Sequence, residues 1–107
     1  MELESTTFVL LRRPPHAPAF SGEELDRLQA AHLAHLAAMK EAGHLLVAGP
    51  FSDQPDESWR GICLYRTGLE ETRALAESDP AVQAGRLAVD VFTWLTQKGA
   101  LRFDQEP

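Results

Sequence analysis

His32 stands where a leucine is expected. Leu25, Leu28, Leu36 and Met39 recur around it at helical spacing. At about 100° per residue these positions and His32 share one stripe. The stripe must face a core, so an ionisable ring points into apolar surroundings. Imidazole has a reference pKa of about 6.5 and exchanges a proton near neutral pH. A buried ring also needs a partner for its N–H. His32 is therefore either a core histidine satisfied by a backbone carbonyl or a general acid–base in a cleft between its helix and a sheet.

Asp79 is the second residue of interest. It precedes Pro80, and Asp before Pro is an ordinary start to a helix. A carboxylate has several acceptor positions, so one can take a helix N–H while another takes the His32 Nδ1–H. Such a contact fixes the tautomer and raises the basicity of the ring, as the third group of a catalytic triad does. His35 follows His32 by three residues and can reach the edge of the same stripe; two histidines at that spacing can share a metal. No cysteine lies nearby and no carboxylate occupies the next turn of that face, so no metal site is expected. Gly49-Pro50-Phe51 reads as a tight turn or, functionally, as a pocket wall approached closely by a ligand. Cys63 alternates with Ile62 and Leu64 and reads as core. His16 and His44 read as surface or strand-end residues. The chain carries no Ser-His-Asp order, phosphate-binding glycine loop or dinucleotide fingerprint.

The elements that must position these residues are legible. Residues 6–12 form an apolar run rich in strand formers. A loop with three prolines follows over 13–20. Ser21-Gly-Glu-Glu24 matches a capping box and opens a helix that stops at Gly43. Residues 45–48 form a second strand closed by Gly49-Pro50, and 51–58 an acidic connection. Residues 59–66 form a third strand. Thr67-Gly-Leu-Glu70 reads as a second capping box, opening a helix over about 69–78. Asp79-Pro80 begins another helical turn, ended by Gly85, and 87–95 form a fourth strand. The segment 97–107 is polar and reads as a loose tail.

This order, β-α-β-β-α-β, is an α+β, ferredoxin-like pattern: a four-stranded antiparallel sheet with both helices on one face. One domain over residues 1–107 is expected, with a core at about 6–96. The strands do not alternate as a sheet with one wet face should. Phe8, Leu10, Val9 and Leu11 fill both faces of the first strand, and Val89, Val91, Phe92 and Trp94 both faces of the fourth. Two helices cover one face only, so a sheet-to-sheet homodimer is expected.

Composition narrows the partners. A net charge of −6 over 107 residues, with scattered basic residues, argues against binding a phosphate backbone. Cys63 is the only cysteine, so no intrachain disulfide forms and a reducing compartment fits. The first residues show no basic-then-apolar signal pattern, and no apolar run approaches the roughly 18 residues of a membrane span. A cytoplasmic protein without nucleic-acid or membrane partners is expected.

The stretch AAHLAHLAAMKEAGHLLVAGPF (30–51), followed by SDPAVQAGRLAV (78–89), resembles the YCII-related (YciI-like) family. The shared pattern is a helix-borne HL, then G-x-L-x-x-A-G-P, then D-P with a following A-G. The resemblance runs from Thr6 to Trp94. It implies a dimeric α/β-barrel fold and a His-Asp pair in a pocket, matching His32 and Asp79 here. Gly49, Pro50, Phe51 and His35 are the expected substrate contacts. The family includes a dehydrochlorinase acting on a chlorinated hydroxymuconolactone, and the wider superfamily includes muconolactone isomerases. The expected function is small-molecule metabolism by His/Asp acid–base catalysis, as a lyase or isomerase, on a ligand such as an organic acid or lactone, with no cofactor. The alternative is a non-catalytic small-molecule-binding or accessory domain of the same dimeric fold. The long proline-rich loop and the acidic 51–58 connection depart from the family pattern, and both can border the pocket.

Overall fold

The computed structural model describes residues 1–103. Its elements are β1 (Leu3–Arg12), α1 (Gly22–Glu41), β2 (Leu45–Pro50), β3 (Trp59–Tyr65), α2 (Leu69–Glu77), α3 (Pro80–Gln83) and β4 (Ala88–Gln97). The strands form one antiparallel sheet in the order β2-β3-β1-β4, the ferredoxin-like arrangement expected. Two strand ends depart from the sequence reading. β1 begins at Leu3 and β4 runs to Gln97, because Leu3, Glu4 and Ser5 pair with Gln97, Thr96 and Leu95. Side chains over Leu3–Ser5 are exposed, so no alternation of apolar residues marks this ribbon. The supposed tail is tied down further where the Lys98 N–H donates to Glu2 O and the Gly99 N–H to Glu4 Oε1. Residues 104–107 of that segment lie outside the described residues.

β1 sorts the molecule into two faces. Thr7, Val9 and Leu11 are buried, and Val9 and Leu11 meet Leu45, Cys63, Tyr65 and Ala76 in the core, with Leu36 and Met39 of α1 and Leu75 of α2 packed against them. Thr6, Phe8, Leu10 and Arg12 take the opposite face. There Phe8 stacks on Phe92 at 5.0 Å between centroids and meets Trp94 edge-on at 6.1 Å. Phe92 and Trp94 nevertheless remain 48% and 40% exposed. The helices thus cover one face and leave the other open and apolar. No helix among the described residues is long and apolar enough to cross a membrane.

The helix starts differ in an instructive way. At α1 both bonds of the capping box form: the Glu24 N–H donates to Ser21 Oγ at 3.1 Å, and the Ser21 N–H to Glu24 Oε1 at 2.8 Å. Gly43 then ends the helix with a φ of 82°, a left-handed turn that suits glycine. At α2 the expected box does not form; the cap is Gly68, with no side-chain bond. Thr67 is drawn instead into a buried threonine cluster. Its hydroxyl lies 2.6 Å from that of Thr72, and its carbonyl accepts from the hydroxyls of Thr7 and Thr72. Satisfying the hydroxyls of the buried Thr7 and Thr72 outweighs capping one exposed helix end.

Strand β2 also runs further than expected, through Gly49 and Pro50, which pair with Ile62 and Gly61. β2 is an edge strand, where a proline leaves no ladder bond unmade. The two chains approach so closely that a Cβ on Gly61 would stand 2.6 Å from Gly49 O and 3.0 Å from Pro50 Cα. Both obstacles are backbone, so the strands must part to admit a methyl group. Gly61→Ala is therefore expected to destabilise the fold by about 1–3 kcal/mol in urea unfolding. Gly49→Ala, whose Cβ meets nothing within 4 Å, is expected to cost less than Gly61→Ala by at least ~1 kcal/mol. Equal costs would contradict this account.

Candidate functional site

The β-α-β-β-α-β order places α1 and α3 side by side on the covered face. α3 is a single turn, and Pro80 at its first position fixes its start. Asp79 caps it: Oδ1 accepts the Ala81 N–H at 2.9 Å. The other oxygen, Oδ2, lies 2.6 Å from Nδ1 of His32 on α1. Both readings of Asp79 hold at once. Its side chain is 3% exposed and that of His32 12%, so the bond forms largely away from water, where it is worth more. A carboxylate only accepts, so Nδ1 donates and Nε2 is left as the free ring nitrogen.

His32 forms part of the wall of a cavity of about 520 Å³, within the usual size range of small-ligand sites. α1 lines it with Leu25, Leu28, Leu36 and Leu33. The end of β2 adds Ala48, Gly49 and Pro50, and β3 adds Arg60 and Gly61. Asp79 is not among the lining residues; it backs the histidine from the protein side.

Of the four expected substrate contacts, Gly49 and Pro50 border the cavity, while His35 and Phe51 are absent from its wall. Helix geometry explains His35. Three residues turn α1 by about 300°, so His35 sits about 60° to one side of His32. Gln29, Leu33 and Asp26, which do border the cavity, project about 60–120° to the other side. The cavity takes most of the leucine stripe, Leu25, Leu28, His32 and Leu36, and extends from it to the side away from His35. His35 carries a buried Nε2 without a hydrogen-bond partner. Phe51 continues past β2, its N–H donating to Arg60 O.

Sequence reasoning also missed the charged part of the wall. Arg13, Arg60 and Arg86 all line the cavity, joined among the described residues by one acid, Asp26. They come from three distant stretches, yet the antiparallel sheet brings the end of β1 beside the starts of β3 and β4. Counting charged residues at one edge of the expected sheet would have found them. The proline-rich loop lies beside this edge. The Arg13 N–H donates to Ser58 O, its Nε to Arg86 O at 2.9 Å, and Pro18 lies within reach of Gly85. Among the described residues, no three His, Cys, Asp or Glu side chains gather as a metal site would need.

The YCII-related domain matches residues 6–95 of this chain. The chain belongs to the YCII-related family. Among solved structures it is similar to the 5-chloro-2-hydroxyhydroquinone dehydrochlorinase of Burkholderia phenoliruptrix AC1100, in complex with 2,5-dihydroxybenzoquinone. That likeness has 25% sequence identity and a TM-score of 0.56, covering 83% of this chain and 92% of the other. No curated protein matches the sequence. This YCII-related chain thus has the family's fold, with His32 and Asp79 in contact at a cavity.

Cys63 lies in the core near this site. Burial, aided by the negative charge of Asp79, pushes its thiol up to about 12. Burial likewise raises the Tyr65 hydroxyl. A thiol ionises near 9 once unfolded, so between pH 9 and 12 the unfolded chain binds fewer protons than the folded one. Stability held below pH 9 is lost as pH rises, with a thiol contribution approaching ~1.4 kcal/mol per pH unit. Cys63→Ala is expected to flatten the fall in unfolding free energy over this window relative to the parent. An unchanged slope would remove the thiol from the account.

Proposed function

We propose that this YCII-related protein is a small-molecule acid–base enzyme, a lyase or isomerase in which Nε2 of His32 carries the proton and Asp79 positions the ring. The observation that supports this most is the 2.6 Å contact between His32 Nδ1 and an Asp79 whose other oxygen is held by a backbone N–H. That arrangement directs the basic nitrogen toward a ligand-sized space and stabilises the imidazolium formed there. His32 takes a proton from a carbon beside a carbonyl, and the electron pair moves onto the oxygen as an enolate. In elimination the pair returns to form a C=C bond as a leaving group departs with its bonding electrons. In isomerisation the imidazolium returns the proton at another carbon. Neither route requires a cofactor. The similar dehydrochlorinase supports elimination within this fold, and an organic acid or lactone is the ligand class that fits.

Well-placed acid–base catalysis supplies about 10²–10⁴-fold. In a screen of lactones and halogenated hydroxyhydroquinones, His32→Gln is expected to lower turnover by at least about 10²-fold with its circular dichroism unchanged. Turnover that survives this substitution would end the catalytic assignment. Saturable binding with no turnover by the parent chain would make it a binding domain.

We further propose that the open sheet face joins two copies into a homodimer. Phe92, Trp94 and Val47 are each at least 40% exposed there, and monomers rarely leave such a contiguous apolar face uncovered. Sedimentation at micromolar concentration is expected to give a dimer, and Phe92→Asp to shift it toward monomer. A purely monomeric parent would refute the interface.

A further inference from the structure

The cavity holds more positive charge than the acid–base pair uses. Among the described residues, Arg13, Arg60 and Arg86 line it with one acid, Asp26, in a chain whose net charge is −6. Among the described residues, none of the three makes an ion pair with a carboxylate. Arg12, Arg27 and Arg73 are paired, with Asp90, Glu23 and Glu70, whereas Arg66, away from the cavity, bonds to the Gly43 carbonyl. Bonds from the cavity arginines also run to main-chain carbonyls, Arg13 Nε to Arg86 O and Arg60 Nη1 to Glu57 O. These bonds orient two guanidinium groups without neutralising them.

Placing like charges together is unfavourable unless something answers them. Arg13 feels this directly: partial burial first, then the charges of Arg86 and Arg60, make its guanidinium easier to deprotonate than usual. The arginines cannot shed their protons in the neutral range, so the repulsion among them persists. An anion entering there relieves it. A planar carboxylate matches the guanidinium fork, which offers parallel N–H donors at a fixed spacing.

We propose that Arg13, Arg60 and Arg86 form a seat for a carboxylate group of the substrate, in the same cavity as His32. This rests on the reading of that cavity as a substrate site, and it narrows the substrate class to small organic acids. The arginines hold the ligand by a group that does not react. His32 is left to act on a carbon elsewhere in the molecule, and binding energy gathered at the seat orients that carbon.

The test needs no turnover. Binding of benzoate and of its neutral analogue benzamide to the full chain is measured by calorimetry and by chemical-shift changes of the cavity residues. Benzoate is expected to bind at least about tenfold more tightly than benzamide, with an affinity that falls as salt rises. Arg86→Gln and Arg60→Gln are each expected to weaken benzoate about tenfold or more, the effect of losing one charge-assisted hydrogen bond, while benzamide is unaffected. Arg86→Lys, which keeps the charge but loses the fork, is expected to recover part of the loss. Unfolding curves establish that each variant is folded. Equal affinity for benzoate and benzamide, no saturable benzoate binding, or arginine variants that bind benzoate normally would each overturn the seat. His32→Gln separates this proposal from the catalytic one: it is expected to leave benzoate affinity within about threefold of the parent. Loss of turnover alone in that variant supports the base, and loss of benzoate affinity alone in the arginine variants supports the seat.

Discussion

One carboxylate organises the site. Asp79 is almost fully buried and has two oxygens to satisfy. One takes the Ala81 N–H and the other meets His32 Nδ1. Neither partner suffices alone, because a buried carboxylate with a single weak donor is costly. The helix start needs an acceptor, the imidazole needs an acceptor, and the carboxylate needs two donors. Meeting all three needs with one residue ties α3 to α1. It also fixes the distance between the helices on the covered face. Pro80 contributes by setting the backbone angle at which that turn begins. A loose α3 would move the carboxylate and the ring together, so the stability of one short turn governs the geometry of the cavity wall.

The sheet supplies the frame on which this link depends. β1 lies between β3 and β4, and its alternation decides which side chains reach the helices. Val9 and Leu11 fill the core beneath α1 and α2. Past Leu11 the strand register shifts between Leu11 and Arg12, and the chain leaves the sheet at Arg13. Here the antiparallel order gathers the ends of β1 and β2 with the starts of β3 and β4. The cavity opens where regular pairing stops, because side chains there no longer need to fill a core. Gly61 tightens the same end by letting β2 approach at a distance no Cβ allows. One end of the sheet is packed closely while the space between it and α1 remains open.

Much of this was legible in the residues, and the limits have physical causes. The Ser21 capping box is a local device, four residues long, and both its bonds form. Thr67-Gly-Leu-Glu70 has the same local form, but tertiary partners claimed the threonine hydroxyl, which no short window reveals. His32 announced itself by interrupting a leucine stripe, and Asp79 by standing before a proline. Their contact spans 47 positions, and only the topology could make it plausible. His35 lies off the wall because the cavity occupies the other side of the helix, where Gln29, equally three residues from His32, borders it. The extension of β1 and β4 was invisible because exposed polar residues carry no alternation. The arginines were missed for a related reason: they are scattered along the chain and converge only when strands are laid antiparallel.

The charge distribution adds a constraint of its own. At a distance an acidic protein repels an anionic ligand, and a net charge of −6 gives no long-range attraction. At physiological salt, however, charges are screened beyond about 8 Å. An anion at the mouth of the cavity therefore responds to Arg13, Arg60 and Arg86 more than to acids elsewhere on the surface. Steering is weak and local attraction strong, an arrangement that favours discrimination over speed of capture. It also bears on the chemistry proposed for His32. Were a proton to leave a carbon in the cavity, the enolate formed would itself be an anion, and fixed guanidinium groups stabilise charge that develops near them at little reorganisation cost. Under that proposal a histidine and an aspartate alone would have to supply the base and answer the new charge as well. Cationic groups in the same wall would leave His32 only the proton to move.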